Sequence, residues 1–197
     1  MVGIIDYGMG NLRSVQKAFE HLGFEAVITD NKQRIADASH IVLPGVGAFA
    51  DAAGNLQRSG LWDVILAEVG KGKPFIGICL GMQLLFECSY ENGITQGLSL
   101  VPGEVVPFRV EGLKVPHMGW NDLIVRNNAL IDGSPYVYFV HSFHASAVPE
   151  SSIIAEADYG YRFTAAVQKD NVYGFQFHPE KSGEAGLAML KKFGALS

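Results

Sequence analysis

Over the first 80 residues, short apolar runs alternate with stretches in which apolar residues recur every three or four positions. Val2 to Asp6, Glu25 to Thr29, His40 to Leu43 and Pro74 to Ile78 have strand length. They are too hydrophobic to keep one face in water, as expected of parallel strands covered on both faces. Between them the period lengthens, and helices are predicted from about Asn11 to Leu22 and around Leu61 to Val69, with a turn at Pro44-Gly45-Val46-Gly47. Strands and helices in alternation predict an α/β fold with a mostly parallel central sheet.

From about Gly97 to Lys169 the pattern changes to short strands broken by Pro and Gly: Val101 to Phe108, Asn121 to Val125, Tyr136 to Val140, Ile153 to Ala157 and Phe163 to Gln168. No helical period lies between them to form crossovers, so an appended antiparallel region is expected. A last strand is predicted at Val172 to Phe177, followed by a helix that Ser182 caps and that runs to about Phe193. Glu184 in its first turn and Lys191 and Lys192 in its last match the helix dipole. With 197 residues, no repeat and no linker-like segment, one domain over residues 1–197 is expected.

Composition narrows the function classes. A hydrophobic share of 48% with 18% charged residues supports a packed core and excludes general disorder. Fifteen Lys+Arg against 20 Asp+Glu give a net charge of −5 with no basic cluster, which argues against nucleic-acid binding. No apolar run predicts a membrane span, and the start reaches Asp6 without a basic flank, so it reads as a strand and not as a signal peptide. Two cysteines make no disulfide framework. If one helix carried Cys79 to Cys88, about 13.5 Å of rise would separate them, so reduced thiols in a cytoplasmic setting are expected.

Gly77-Ile-Cys79-Leu-Gly81 follows the Pro74 to Ile78 run and precedes the helix-forming Met-Gln-Leu-Leu-Phe-Glu. A strand turning sharply into a helix through Gly-x-nucleophile-x-Gly is a nucleophile elbow, and its glycines leave room for the tight turn. A helix start there would favour the thiolate. The same pattern also fits a small buried thiol closing a strand. Phe175-Gln-Phe-His178-Pro-Glu180 offers a base and an orienting carboxylate, which point the same way if the strand stays extended through Pro179. A buried histidine with an incidental glutamate would read alike. For an oxyanion, the N–H of Leu80 is one candidate donor and the backbone of Val46 and Gly47 another.

Together, Gly77-Ile-Cys79-Leu-Gly81-Met-Gln83 and Phe177-His178-Pro-Glu180-Lys181 resemble the triad-type, class I glutamine amidotransferases. Asp6-Tyr-Gly-Met-Gly-Asn11, Leu43-Pro-Gly-Val-Gly47, Pro116-His-Met-Gly-Trp120-Asn and Tyr138-Phe-Val-His141-Ser142-Phe143 resemble, more narrowly, the glutaminase subunits of imidazole glycerol phosphate synthases in histidine biosynthesis. The resemblance covers essentially the whole chain and implies a flavodoxin-like three-layer fold. It implies hydrolysis of L-glutamine through a thioester on Cys79, with His178 as base and Glu180 as its orienter, and no cofactor or metal. Gly45, Gly47, Gln83, Glu91, His141, Ser142 and Phe143 would hold glutamine, with Glu91 meeting its α-ammonium. It also implies a partner, a cyclase subunit built as a (β/α)₈ barrel that uses the ammonia to make imidazole glycerol phosphate and AICAR. Asn11, Trp120 and Lys181 match positions near that interface.

Free ammonia would be wasted, so glutaminase activity is expected to stay low until the partner carries substrate, with Gly45-Val46-Gly47 as the switch. Competing readings are another thiol hydrolase with the same elbow, a silent docking subunit, and a dinucleotide-binding module based on Gly8-Met-Gly10 and Asp30. In the last, Arg13 occupies the third glycine position. The scattered histidines speak against a metal site, since His141 and His144 would face opposite sides of a strand.

Overall fold

The computed structural model describes residues 1–126 and 128–196. In its first half the strands are β1 (Val2–Ile5), β2 (Ala26–Thr29), β3 (His40–Gly45) and β4 (Phe75–Cys79). The helices are α1 (Leu12–His21), α2 (Lys32–Asp37), α3 (Phe49–Ser59) and α4 (Leu61–Gly70). After β4 comes a single helical turn, α5 (Leu80–Gln83). The strands β5 (Cys88–Ser89), β6 (Thr95–Gln96), β7 (Glu104–Pro107), β8 (His117–Asp122), β9 (Ile124–Val125), β10 (Tyr136–His141), β11 (Phe143–Ser146), β12 (Ile153–Asp158), β13 (Arg162–Lys169) and β14 (Val172–Phe175) follow, before α6 (Gly183–Gly194).

The main sheet runs β2-β1-β3-β4-β14-β13-β11-β7-β5-β6. Its first five strands are parallel, and their order is that of the flavodoxin-like doubly wound sheet. β13 then turns antiparallel to β14 and carries the appended region, while β8 and β10 form a separate antiparallel pair. Three layers follow from alternation along the strands. Ile41 and Leu43 pack with α2, α3 and α4, whereas Val42 between them packs with α1 and α6. Covered on both faces, these strands needed the uniformly apolar sequence that marks them.

Several expectations are corrected. Two helices, α2 and α3, stand where none was predicted. The last strand ends at Phe175, short of Phe177. The helix after Cys79 stops at Gln83, because the carbonyls of Leu84, Leu85 and Phe86 accept bonds from the backbone of residues 98–101 and cannot continue a helical ladder. Cys88 therefore lies on β5, not on a helix with Cys79. Ser182 does sit at the start of α6 but makes no cap. Its Oγ donates to the His178 carbonyl at 2.6 Å and accepts from Tyr138 N at 3.0 Å.

Candidate active site

The carboxyl ends of β3 and β4 lie side by side, with Gly45 paired to Cys79, at the edge where open parallel sheets leave a crevice. Cys79 closes β4 with φ 56° and ψ −110°, a strained conformation for a residue with a Cβ. The close packing around it explains the flanking glycines. A Cβ on Gly77 would stand 2.4 Å from the Gly81 carbonyl oxygen, and one on Gly81 would stand 1.8 Å from that of Leu43.

Behind the sulfur lies His178, which is buried. Its Nδ1 lies 2.8 Å from Glu180 Oε1, and the Glu180 side chain is almost wholly enclosed. This contact is not made by an extended strand, as the sequence suggested. Pro179 to Lys181 form a 3₁₀ turn that folds the carboxylate back onto the ring. The His178 backbone is anchored on β10, its N–H donating to the Tyr138 carbonyl at 2.9 Å. His178 Nε2 and Glu180 Oε2 are both buried without a hydrogen-bond partner. Burial pulls the imidazole pKa down, but the nearby Cys79 sulfur and the hydrogen-bonded Glu180 carboxylate outweigh it and carry the value up to about 9. A ring that holds its proton at neutrality beside a sulfur is suited to pairing with a thiolate. Since α5 is only one turn long, this imidazole, and not the end of a long helix, is the group that attends the sulfur.

Cys79 opens onto a cavity of ≈ 350 Å³ between the loop after β3 and the β10–β11 connection. Val46, Gly47 and Leu80 line it beside the sulfur, while Gln83, Glu91, His141, Ser142 and Phe143 form its wall. Gly45 stands one residue back from the cavity, with Tyr7 Oη and Leu80 against its Cα. Glu91 is already engaged, since its Oε2 accepts the Phe49 N–H at 2.7 Å at the start of α3. Gln83 is buried and donates Nε2 to the Phe143 carbonyl at 3.0 Å. His141 has no free ring nitrogen. Nδ1 meets the Phe143 carbonyl at 2.8 Å and Nε2 meets His117 Nδ1 at 3.0 Å, so it offers the cavity only its backbone. Among the described residues, no group of three His, Cys, Asp or Glu is arranged to hold a metal ion.

Trp120 and Lys181 come together on the outer face of the β8/β10 pair. The Trp120 ring lies 6.2 Å from that of Tyr138, and Lys181 Nζ lies 6.0 Å over the same ring. Asn11 precedes α1, where its Oδ1 accepts from Ser14 Oγ at 2.9 Å. Sequence reasoning missed three residues close to the sulfur or the cavity wall. Gln176 is fully buried and points Nε2 at Cys79 Sγ, 3.8 Å away. Tyr7 Oη donates to the Pro44 carbonyl at 2.9 Å, and burial together with Cys79 raises its pKa. His117 is buried against His141. A polar Gln between two Phe at the end of a buried strand was the one visible signal for Gln176.

Residues 3–195 match the family described as glutamine amidotransferase class-I. The imidazole glycerol phosphate synthase subunit HisH of Geobacter metallireducens is 50% identical, covering 98% of this chain and 96% of that protein. The HisH of Aquifex aeolicus is 49% identical, covering 96% and 94% respectively. Among solved structures, a glutamine amidotransferase and PurLQS from Thermotoga maritima each superimpose with a TM-score of 0.78 at 22% identity. Both cover 98% of this chain, and the alignments span 99% and 96% of theirs. At that identity they speak to the fold alone.

Proposed function

The chain belongs to the class-I glutamine amidotransferase family, and from that premise we propose that it is the glutaminase subunit of an imidazole glycerol phosphate synthase. The observation that carries the reading is the array of Cys79, His178 and Glu180 at the end of β4, opening on a cavity large enough for one amino acid. The Cys79 thiolate attacks the side-chain carboxamide carbon of glutamine. The developing oxyanion lies at the Leu80 N–H and at the backbone of Val46 and Gly47. His178, held by Glu180, gives its proton to the leaving nitrogen, so that ammonia departs and a γ-glutamyl thioester remains. His178, now neutral, takes a proton from water as that water attacks the thioester, and glutamate and the thiolate are regenerated.

Glu91, Gln83, the Ser142 and Phe143 backbone and Gly47 are the groups available to hold glutamine, with Glu91 facing its ammonium. The ammonia is used by a cyclase subunit of (β/α)₈ form. Its docking face is supported by Met118, Trp120 and Tyr136, apolar or aromatic side chains left 57–63% exposed on the β8/β10 pair. No helix among the described residues is long and apolar enough to cross a membrane, and both cysteines are free thiols. These features suit a reducing cytoplasm.

The test is formation of imidazole glycerol phosphate by the chain together with its cyclase partner, fed either glutamine or ammonium salts. Cys79→Ala is expected to lower the glutamine-dependent rate by roughly 10⁴-fold or more and to leave the ammonium-dependent rate unchanged. Glutamine hydrolysis without ammonia transfer to the partner would favour a free-standing γ-glutamyl hydrolase instead.

A further inference from the structure

Asn121, His117 and Gln176 have no part in the scheme above, yet an unbroken series of hydrogen bonds joins them to the sulfur. Asn121 Nδ2, on β8, donates to the Asp158 carbonyl at 2.7 Å and lies 3.4 Å from His117 Nε2. From His117 the series passes through His141 to the Phe143 carbonyl, which Gln83 also meets. Gln83 Nε2 then donates to Gln176 Oε1 at 3.1 Å, and Gln176 Nε2 reaches Cys79 Sγ.

Only one placement of protons fits this series. The Phe143 carbonyl can only accept, so His141 Nδ1 and Gln83 Nε2 both donate to it. Neutral His141 then has a bare Nε2, which accepts the Nδ1–H of His117, and the bare Nε2 of His117 accepts from Asn121. Desolvation keeps both rings neutral, with His117 down at about 4 and His141 at about 3. Because Gln83 turns its nitrogen to Phe143, the same nitrogen meets Gln176. The Gln176 oxygen therefore faces Gln83, and its nitrogen faces the sulfur.

We propose that Gln176 is a catalytic residue that donates an N–H to the Cys79 sulfur, and that the His117–His141 pair is the positioning element that fixes the sense of that bond through Phe143 and Gln83. The proposal rests on the reading of Cys79 as the nucleophile. A hydrogen bond donated to sulfur favours its charged form, whereas the Val140 carbonyl, 3.9 Å from Sγ, can only accept and favours the thiol. Without Gln176 only the His178 imidazole is left to oppose the Val140 contact. If the Phe143 carbonyl turned away, both glutamine amides could rotate by half a turn and present an oxygen to the sulfur. The His141 N–H, braced by His117, holds that carbonyl in place. β8 carries the buried His117 inward and the exposed Met118 and Trp120 outward, so a partner pressing on Trp120 bears on the strand that holds the far end of the series.

The measurement is the pH dependence of Cys79 alkylation by iodoacetamide in the full chain, in a Cys88→Ser background so that a single thiol reacts. The titratable groups facing the sulfur are His178 with Glu180 behind it, and Tyr7. All three are present in every variant. Gln176→Met is expected to move the half-maximal point up by about one pH unit, which is about tenfold slower alkylation on the acid limb. His117→Phe keeps a ring stacked between Tyr159 and Phe139 but removes the N–H, and shifts the curve the same way by less. His117→Asn places an amide nitrogen where Nδ1 stood and restores the parent curve. If Gln176→Met does not fold, Gln176→Asn withdraws the amide by one methylene and carries the same expectation at smaller size. A Gln176 variant that folds and superimposes on the parent overturns the proposal. A shift with Gln176→Met and none with His117→Phe overturns the role of the histidine pair. No glutamine enters the assay, so failure of the parent chain to hydrolyse glutamine with its substrate-loaded cyclase partner would refute the glutaminase reading separately.

Discussion

In the parallel half of the sheet, Ile4, Ile41, Val42, Phe75 and Ile76 are fully buried between two layers of helices, and the core is built almost wholly from side chains of that kind. In the antiparallel half, His117, His141 and His144 are buried around the Phe108 ring, with centroids 4.5–6.1 Å away, while Met118, Trp120 and Tyr136 face solvent. Folding alone favours the first arrangement. Buried polar groups must find partners or cost free energy, and large exposed apolar groups gain nothing from an isolated fold. The parallel half therefore supplies the frame, and the antiparallel half supplies a cavity wall on one side and, on the other, the exposed face proposed above for the cyclase.

This contrast can be broken at the seam, in the frame, at the buried histidines and on the face, in falling order of effect on stability. At the seam, Gly81→Ala forces a Cβ onto the Leu43 carbonyl and is expected to cost about 4 kcal/mol or more in urea unfolding. A cost below about 1 kcal/mol would show that the elbow has slack. In the frame, Phe19 is fully buried against Phe24 and Phe193, and Phe19→Ala should cost about 3–5 kcal/mol.

The histidines separate the halves by pH. His117 and His141 are held below the 6.5 of an unfolded histidine, so the unfolded chain binds more protons and stability falls as pH drops from 6.5 toward about 4 and 3. His178 has the opposite sign. Its contribution is fully present below pH 6.5 and is lost as pH rises through about 9. His117→Phe should flatten the acid slope by up to about 1.4 kcal/mol per pH unit and leave the alkaline limb alone. On the docking face, Trp120→Ala is expected to change stability by less than about 0.5 kcal/mol yet weaken cyclase binding by about 2 kcal/mol. A large stability loss with unchanged binding would make Trp120 a packing residue.

The frame was largely legible, because strands covered on both faces need the uniform hydrophobicity that marks them. The elbow was legible too, since its glycines are local necessities. What escaped depends on distant chain. α3 has no capping side chain of its own and contains Gly54, and its first N–H is held by Glu91, 42 residues away. The helix expected after Cys79 is cut short by residues 98–101. Gln83, Glu91 and Cys79 reach one cavity as the sequence suggested, but the roles open to His141 could not be seen. Its ring nitrogens are taken by the Phe143 carbonyl, two residues on, and by His117, which only the pairing of β8 with β10 brings into reach.

The central claim is that Cys79 carries the γ-glutamyl group between the two halves of the reaction. The most direct measurement is peptide-resolved mass spectrometry of the chain, with its cyclase partner, acid-quenched during glutamine turnover. The account predicts a γ-glutamyl increment on the peptide holding Cys79, absent from Cys79→Ala and absent when ammonium replaces glutamine. Glutamate release from the parent chain with no increment on that peptide, or with the increment on Cys88, would contradict it.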